Sequence, residues 1–144
     1  LCGVELVDDK CKYVAIADGA RPLTTPDMID KVCRAAFTYD AACAATRSND
    51  TIKVSNPSGF ITSTADRDTC WFAQTPQVFS YDIIKTAYDK LQPAAEYNFT
   101  DDAMVVEKVL HYPIQLVRGS YHNIKITTPE DLDVAERFLS SITL

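Results

Sequence analysis

Glycine is scarce in this chain, with four in 144 residues. None is spaced as G-x-G-x-x-G or as a Walker loop, so the sequence holds no glycine-rich phosphate cradle. Histidine is scarcer: His111 and His122 lie far apart, with no Ser or Cys nucleophile motif beside either, which argues against a histidine-based triad. The five cysteines, Cys2, Cys11, Cys33, Cys43 and Cys70, include no C-x-x-C pair and no His at metal-ligand spacing. Neither a zinc site nor a disulfide framework is indicated. They read as small buried hydrophobes kept reduced in a cytoplasmic type of compartment. No apolar run approaches a membrane-spanning length, and Leu1 to Lys12 carries Glu5, Asp8 and Asp9 without a basic n-region, so neither a membrane span nor a signal peptide is expected. Positive charge is in deficit, 14 Lys and Arg against 20 Asp and Glu for a net charge of -6, which argues against nucleic acid as a partner. A local basic cluster for a phosphorylated small molecule remains compatible with that balance.

What is present is an ordinary globular composition, 47% hydrophobic and 24% charged, in a length that fits one domain over 1–144 with its own core. Tyr13 to Ile16 is a continuous apolar run suited to a strand covered on both faces, and it stops abruptly at Asp18-Gly19-Ala20-Arg21-Pro22. In open α/β sheets ligands bind outside the carboxyl ends of the strands, so this loop is the first candidate site, against the plainer alternative of an ordinary turn.

Thr25-Pro26-Asp27 then combines an N-cap, a first-position proline and a first-turn acid. A helix is predicted to about Thr38, with Met28, Ile29, Val32, Cys33, Ala36 and Phe37 as its apolar stripe. Ala41 to Ala45 reads as the parallel strand to which this helix returns, completing a right-handed crossover.

Thr51 to Ser55 and Phe60 to Thr64 alternate around Asn56-Pro57-Ser58-Gly59, which predicts a hairpin with no helix attached, a projecting arm over 46–70 that needs something to pack on. A partner subunit is the economical candidate. Trp71 to Phe79 is an aromatic-rich extended segment, after which Ser80 is expected to cap a helix from Tyr81 to about Leu91. Gln92 to Phe99 reads as a loop. Thr100 is expected to cap a helix running to about Leu110, with Asp101 and Asp102 at its positive end. Ile114 to Val117 and Asn123 to Ile126 are predicted as short extended segments. Thr128 and Pro129 open a final helix with Leu132, Val134, Ala135, Phe138 and Leu139 facing inward.

Three cations, Arg21, Arg67 and Lys125, sit beside turns or strand ends, where cations can converge on phosphate oxygens. Each has a plainer alternative: Arg67 can pair with Asp66 or Asp68 on the surface, and Lys125 can be an edge-strand lysine. Asp18 suits metal binding, hydroxyl recognition or a turn cap.

Taken together and in order, Asp18-Gly19-Ala20-Arg21-Pro22, Asp50-Thr51, Asp66-Arg67, Trp71 with Ala73-Gln74-Thr75-Pro76-Gln77, Thr100-Asp101-Asp102-Ala103, and Gly119 with Asn123 through Leu132 resemble 2-C-methyl-D-erythritol 4-phosphate cytidylyltransferase. The resemblance covers essentially the whole chain and implies a Rossmann-like, mostly parallel sheet with flanking helices and a projecting β-hairpin arm, of the nucleotide-diphospho-sugar transferase type. It implies an enzyme joining CTP to methylerythritol phosphate with release of pyrophosphate, using Mg²⁺. Lys125 and Arg67 would position the substrate phosphate, Asp18 and Arg21 would hold its polyol and phosphate side, and Thr51 and Thr75 would add hydroxyl contacts. A homodimer through the arm would place Thr51 and Arg67 in the neighbouring subunit's site. The chain corresponds to the C-terminal portion of such enzymes, whose basic Gly-rich CTP loop is absent from it. Two alternatives stay open: a ribitol 5-phosphate cytidylyltransferase, usually with Ser-Val before Arg-Pro, and a non-catalytic dimerising or phosphate-binding module.

Overall fold

The computed structural model describes residues 2–8, 10–91 and 98–141. Most of the loop expected over 92–99 lies outside them. After a helical turn α1 (Cys2–Glu5), the elements are β1 (Tyr13–Ile16), α2 (Pro26–Tyr39), β2 (Ala41–Arg47), β3 (Lys53–Ser55), β4 (Ile61–Thr64), a 3-10 turn (Arg67–Thr69), β5 (Trp71–Ser80), α3 (Tyr81–Asp89), α4 (Asp102–Leu110), β6 (Gln115–Arg118) and α5 (Pro129–Ser141).

The main sheet has the order β1-β5-β2-β6. β5 runs antiparallel to both neighbours while β6 is parallel to β2, so β1, β2 and β6 share one direction. The crossover through α2 therefore joins parallel strands as expected, but β5 is inserted between them. β1 is bonded on one side only among the described residues and its residues are mostly half-buried, not covered on both faces as its composition suggested.

β2 carries the core. Its first six residues are buried, and the pleat sends successive side chains to opposite faces. Ala41 joins Phe79, Ile84, Ala87, Val105 and Val106 under α3 and α4. Ala42 and Ala44 join Val78 and the α2 residues Val32 and Ala36 on the other face. Alanines let both helix layers approach closely, while each large side chain such as Phe79 or Ile84 stabilises by about 1.5–3 kcal/mol on burial.

The helix caps follow the sequence in part. Thr25 accepts from the Met28 amide at the start of α2, with Pro26 at the first position. Ser80 precedes α3 without a side-chain cap bond. At α4 the cap is Asp101, not Thr100, because the Asp101 carboxylate reaches the Met104 amide at 2.8 Å. Asp40 and His111 end α2 and α4 in left-handed conformation.

Two predicted apolar faces are only partly buried. On α2, Ile29 and Phe37 are exposed while Met28, Val32 and Ala36 are buried. On α5 only Ala135 is buried, and Leu132, Val134 and Leu139 lie open. That helix meets the irregular segment before it, with Phe138 stacked on His122 at 4.3 Å, instead of lying across a strand. Asn123 to Ile126 accordingly forms no ladder; its backbone bonds run from Asn123 N–H to the Ser120 carbonyl and from Ile126 N–H to the Ala20 carbonyl. Of the cysteines expected to be buried, Cys43 is, whereas Cys11, Cys33 and Cys70 are half-buried and all four are free thiols.

β3 and β4 form their own two-stranded sheet, turning through Asn56 to Gly59. The Asn56 side chain accepts from the amides of Ser58 and Phe60, and Gly59 supplies the positive φ the turn requires. Every residue of both strands is exposed.

Candidate active site

The β1–β5 ladder ends at the Ile16–Gln77 pair, and the chain then runs on beyond the carboxyl end of β1 over the first half of β5. Two residues later the Asp18 amide donates to the Thr75 hydroxyl at 2.9 Å. The loop turns back at once, Arg21 N–H bonding the Asp18 carbonyl. That places the Asp18 carboxylate beside two cations on one oxygen, Oδ2: Arg21 Nε at 3.1 Å and Lys125 Nζ at 3.3 Å. Four of the expected site residues, Asp18, Arg21, Thr75 and Lys125, thus line one cavity of about 300 Å³, together with Gln77 and Asp101.

The two cations are not equivalent. Arg21 is 12% exposed, and its guanidinium also donates to the Asn123 carbonyl at 2.6 Å, so it braces the loop against the 119–126 segment. Lys125 is 48% exposed. An ammonium has three donors, and Asp18 is the single partner of this one among the described residues, so Lys125 is the cation able to meet an incoming anion.

Asn123 holds the segment that carries Lys125. Fully buried, it donates through Nδ2 to the Thr75 carbonyl and accepts at Oδ1 from the Thr24 hydroxyl, both at 2.9 Å. Gln74 adds a second tie, its amide donating to the Ser120 carbonyl at 2.9 Å. Gln77 fixes the opposite wall, with Nε2 on Asp101 Oδ2 and Oε1 accepting from the Ala103 amide. Sequence reasoning gave none of Gln74, Gln77, Asp101 and Asn123 a role in the site. The available signal was two amides inside an otherwise apolar, aromatic strand, where burial demands partners. No buried side-chain polar atom lacks a partner among the described residues.

The carboxylates are committed. Asp18 faces two cations, Asp101 caps α4, and Asp102 accepts from the Tyr88 hydroxyl, which burial and that carboxylate hold above its usual range. Among the described residues no three His, Cys, Asp or Glu side chains gather as a metal-binding group.

Arg67 and Thr51 lie elsewhere. Arg67 follows the hairpin's second strand, in the 3-10 turn at the arm's end, and Thr51 precedes β3. Neither lines the Asp18 cavity. Asp66 spends its carboxylate on the Asp68 amide, and Arg67 makes no ion pair among the described residues.

A mixed α/β body with a cavity outside the carboxyl ends of its parallel strands is the arrangement in which open α/β proteins bind small molecules. The chain belongs to the 2-C-methyl-D-erythritol 4-phosphate cytidylyltransferase family, IspD, whose sequence model matches residues 1–141. The enzyme of that name from Caldanaerobacter subterraneus subsp. tengcongensis is 48% identical over 139 residues, covering 95% of this chain and 60% of the relative. That from Alkaliphilus oremlandii is 46% identical, covering 96% and 58%. Among solved structures, 4-diphosphocytidyl-2C-methyl-D-erythritol synthase from Anaerococcus prevotii superposes with a TM-score of 0.87 at 33% identity, over 96% of this chain and 63% of that one. The Thermus thermophilus cytidylyltransferase gives 0.80 at 28% identity, over 95% and 65%. The chain spans about three fifths of the length of the curated relatives it matches.

Proposed function

We propose that this chain is the substrate-phosphate side of a cytidylyltransferase that joins CTP and 2-C-methyl-D-erythritol 4-phosphate. A phosphate oxygen of the substrate attacks the α-phosphorus of CTP in line, the new P–O bond forms, and the bond to the β-phosphate breaks to release pyrophosphate. Two anions must be held together for this, so positioning and charge neutralisation are the chain's main contributions. The observation that carries the reading is the half-exposed Lys125 ammonium held at the cavity by Asp18, 3.3 Å away. Lys125 takes the substrate phosphate; Asp18 and Arg21 fix the loop and face the polyol; Thr75 locks that loop onto β5. Mg²⁺, when bound, neutralises the CTP phosphates. Asp18 pairs with both cations through Oδ2, which leaves Oδ1 as the one carboxylate oxygen it could turn to a metal.

The arm completes the site in a homodimer. Phe60 and Ile61 are 72% and 65% exposed on a two-stranded sheet that is marginal alone, which favours burial against a second copy. In that assembly Thr51 and Arg67 serve the neighbouring subunit's phosphate. Four free thiols suit a cytoplasmic setting.

The test uses the protein at its natural length. Arg67→Ala and Lys125→Ala variants each lose on the order of 100-fold in rate, as phosphate mispositioning does. Mixing the two after subunit exchange restores pyrophosphate release, because one hybrid site keeps both cations. A mixture as inactive as its components refutes the shared site. Single variants with wild-type rates refute the assignment of both residues.

A further inference from the structure

The arm leaves the main sheet after Arg47 and returns to it at Trp71, the residue paired with Arg47 across the β2–β5 ladder. Most of its hydrogen bonds close on itself. Ser48 N–H reaches the Cys70 carbonyl, Ala65 N–H reaches the Ile52 carbonyl, and the Asp66 carboxylate accepts from the Asp68 amide. Such bonds hold the arm's own shape and leave its direction open.

Among the described residues, segment 48–70 is hydrogen-bonded to the rest of the chain through Arg47 and Tyr121, and no ion pair adds a further hold. Arg47 donates to the Asp68 carbonyl at 3.5 Å from the departing strand itself. Tyr121 comes from elsewhere in the fold. Its hydroxyl donates to the Arg47 carbonyl at 2.9 Å and reaches the Asn49 side-chain oxygen at 3.1 Å, so one side chain grips the arm where it departs and again just beyond. A tyrosine suits the task, since its rigid ring presents the hydroxyl with few torsions to freeze.

Tyr121 belongs to the segment that carries Lys125, and that segment has other anchors. Gly119 N–H bonds the Ala45 carbonyl, Gln74 the Ser120 carbonyl, Arg21 the Asn123 carbonyl and Ile126 N–H the Ala20 carbonyl. The buried Asn123 side chain adds its bonds to Thr24 and Thr75. The arm has no such set. A two-stranded sheet with every strand residue exposed is the partner with freedom to lose, so the Tyr121 bond constrains the arm more than the loop.

We propose that Tyr121 is a positioning residue that sets the direction of the arm, and through it the placing of Arg67 and Thr51 in the neighbouring subunit's site. It rests on the shared site proposed above. Tyr121 then acts on the site its own arm enters, not on Lys125 of its own chain.

A hybrid dimer separates the two. When Lys125→Ala and Arg67→Ala subunits of natural length are mixed, the working site takes its lysine from the Arg67→Ala subunit and its arm from the Lys125→Ala subunit. Tyr121→Phe, which removes the hydroxyl and keeps the ring, is added to one subunit or the other, and pyrophosphate release is followed after exchange. In the arm-lending subunit it is expected to slow release about fivefold, through a displaced phosphate contact, and in the lysine-lending subunit by less than about twofold. A merely structural loss would lower both mixtures alike, and equal effects overturn the proposal. A larger effect in the lysine-lending subunit also overturns it, in favour of Tyr121 steadying the Lys125 segment. Sedimentation of each mixture measures dimer content, and a fall in dimer large enough to account for the lost rate overturns positioning in favour of assembly. A hybrid inactive before Tyr121 is altered refutes the shared site and the role of Tyr121 with it, whereas an active hybrid indifferent to Tyr121→Phe refutes that role alone.

Discussion

A Cβ added to Gly119 would lie 2.3 Å from Oε1 of Gln74. Gln74 is 8% exposed and bonded at its other amide atom to Ser120, so it cannot swing aside without giving up buried bonds. Gly119→Ala is therefore expected to destabilise the fold by about 1–3 kcal/mol, the range for overpacking. In a Gln74→Ala background the obstacle is gone and the same change should cost almost nothing. Urea unfolding of the four proteins in a double-mutant cycle measures this, and additive effects would contradict it.

Asn123 is a single side chain on which Thr24, Thr75 and the Lys125 segment all depend. Asn123→Ala takes the donor from the part-buried Thr75 carbonyl and empties a fully buried position, and the expected loss is about 1–3 kcal/mol of stability. Asn123→Asp should also destabilise, since a carboxylate cannot donate to that carbonyl. Chemical denaturation of both variants checks the pair.

Asp131 starts α5 by accepting from the amides of Thr127 and Thr128 at 2.8 and 2.9 Å, with the Thr127 hydroxyl a third donor. Those bonds hold its carboxyl below the usual carboxylate range. A lowered folded-state value means that stabilisation is present above the unfolded-state value and disappears as pH falls through the folded one. Asp131→Ala should thus melt at a lower temperature than wild type near neutral pH, with the difference closing below the normal carboxylate range. A melting series across that interval tests the sign; a gap that widens in acid would refute it.

Cys43 sits inside β2, and burial pushes its thiol up to about 12. The thiolate is the reactive form, so Cys43 should resist iodoacetamide in the native protein at mildly alkaline pH while Cys11, Cys33 and Cys70 are modified first. Peptide mass spectrometry before and after denaturation distinguishes the sites, and early labelling of Cys43 would contradict its placement.

The sequence disclosed what local chemistry governs. Thr25 and Pro26 announce α2, Asn56 and Gly59 announce the arm's turn, and the Asp18 loop is visible because a strand of apolar residues ends in charge. Insertion of β5 between β1 and β2 was not visible, because an antiparallel strand in that place is decided by pairing across the sheet and carries no period of its own. The cap of α4 was assigned to Thr100 because a hydroxyl precedes two acids; Asp101 holds the position because its carboxylate reaches the Met104 amide. The exposed face of α5 misled for another reason: helical spacing tells which residues share a side, not what lies opposite. At the site, Lys125 and Asp18 could be named from their loops, but Gln74, Gln77 and Asn123 matter through partners more than twenty residues away, and separation of that kind leaves no local trace.

Arg47 and Trp71 stand opposite each other on the β2–β5 ladder, so the chain leaves the main sheet and re-enters it across one rung. The intervening arm is, in architectural terms, a cassette. Lengthening or shortening such an excursion alters closure entropy by only about 0.6 kcal/mol per doubling, and no other rung has to move. The arm's length can therefore change while the main sheet keeps its register, and an arm exchanged between homologues should graft at that rung without disturbing the strand order.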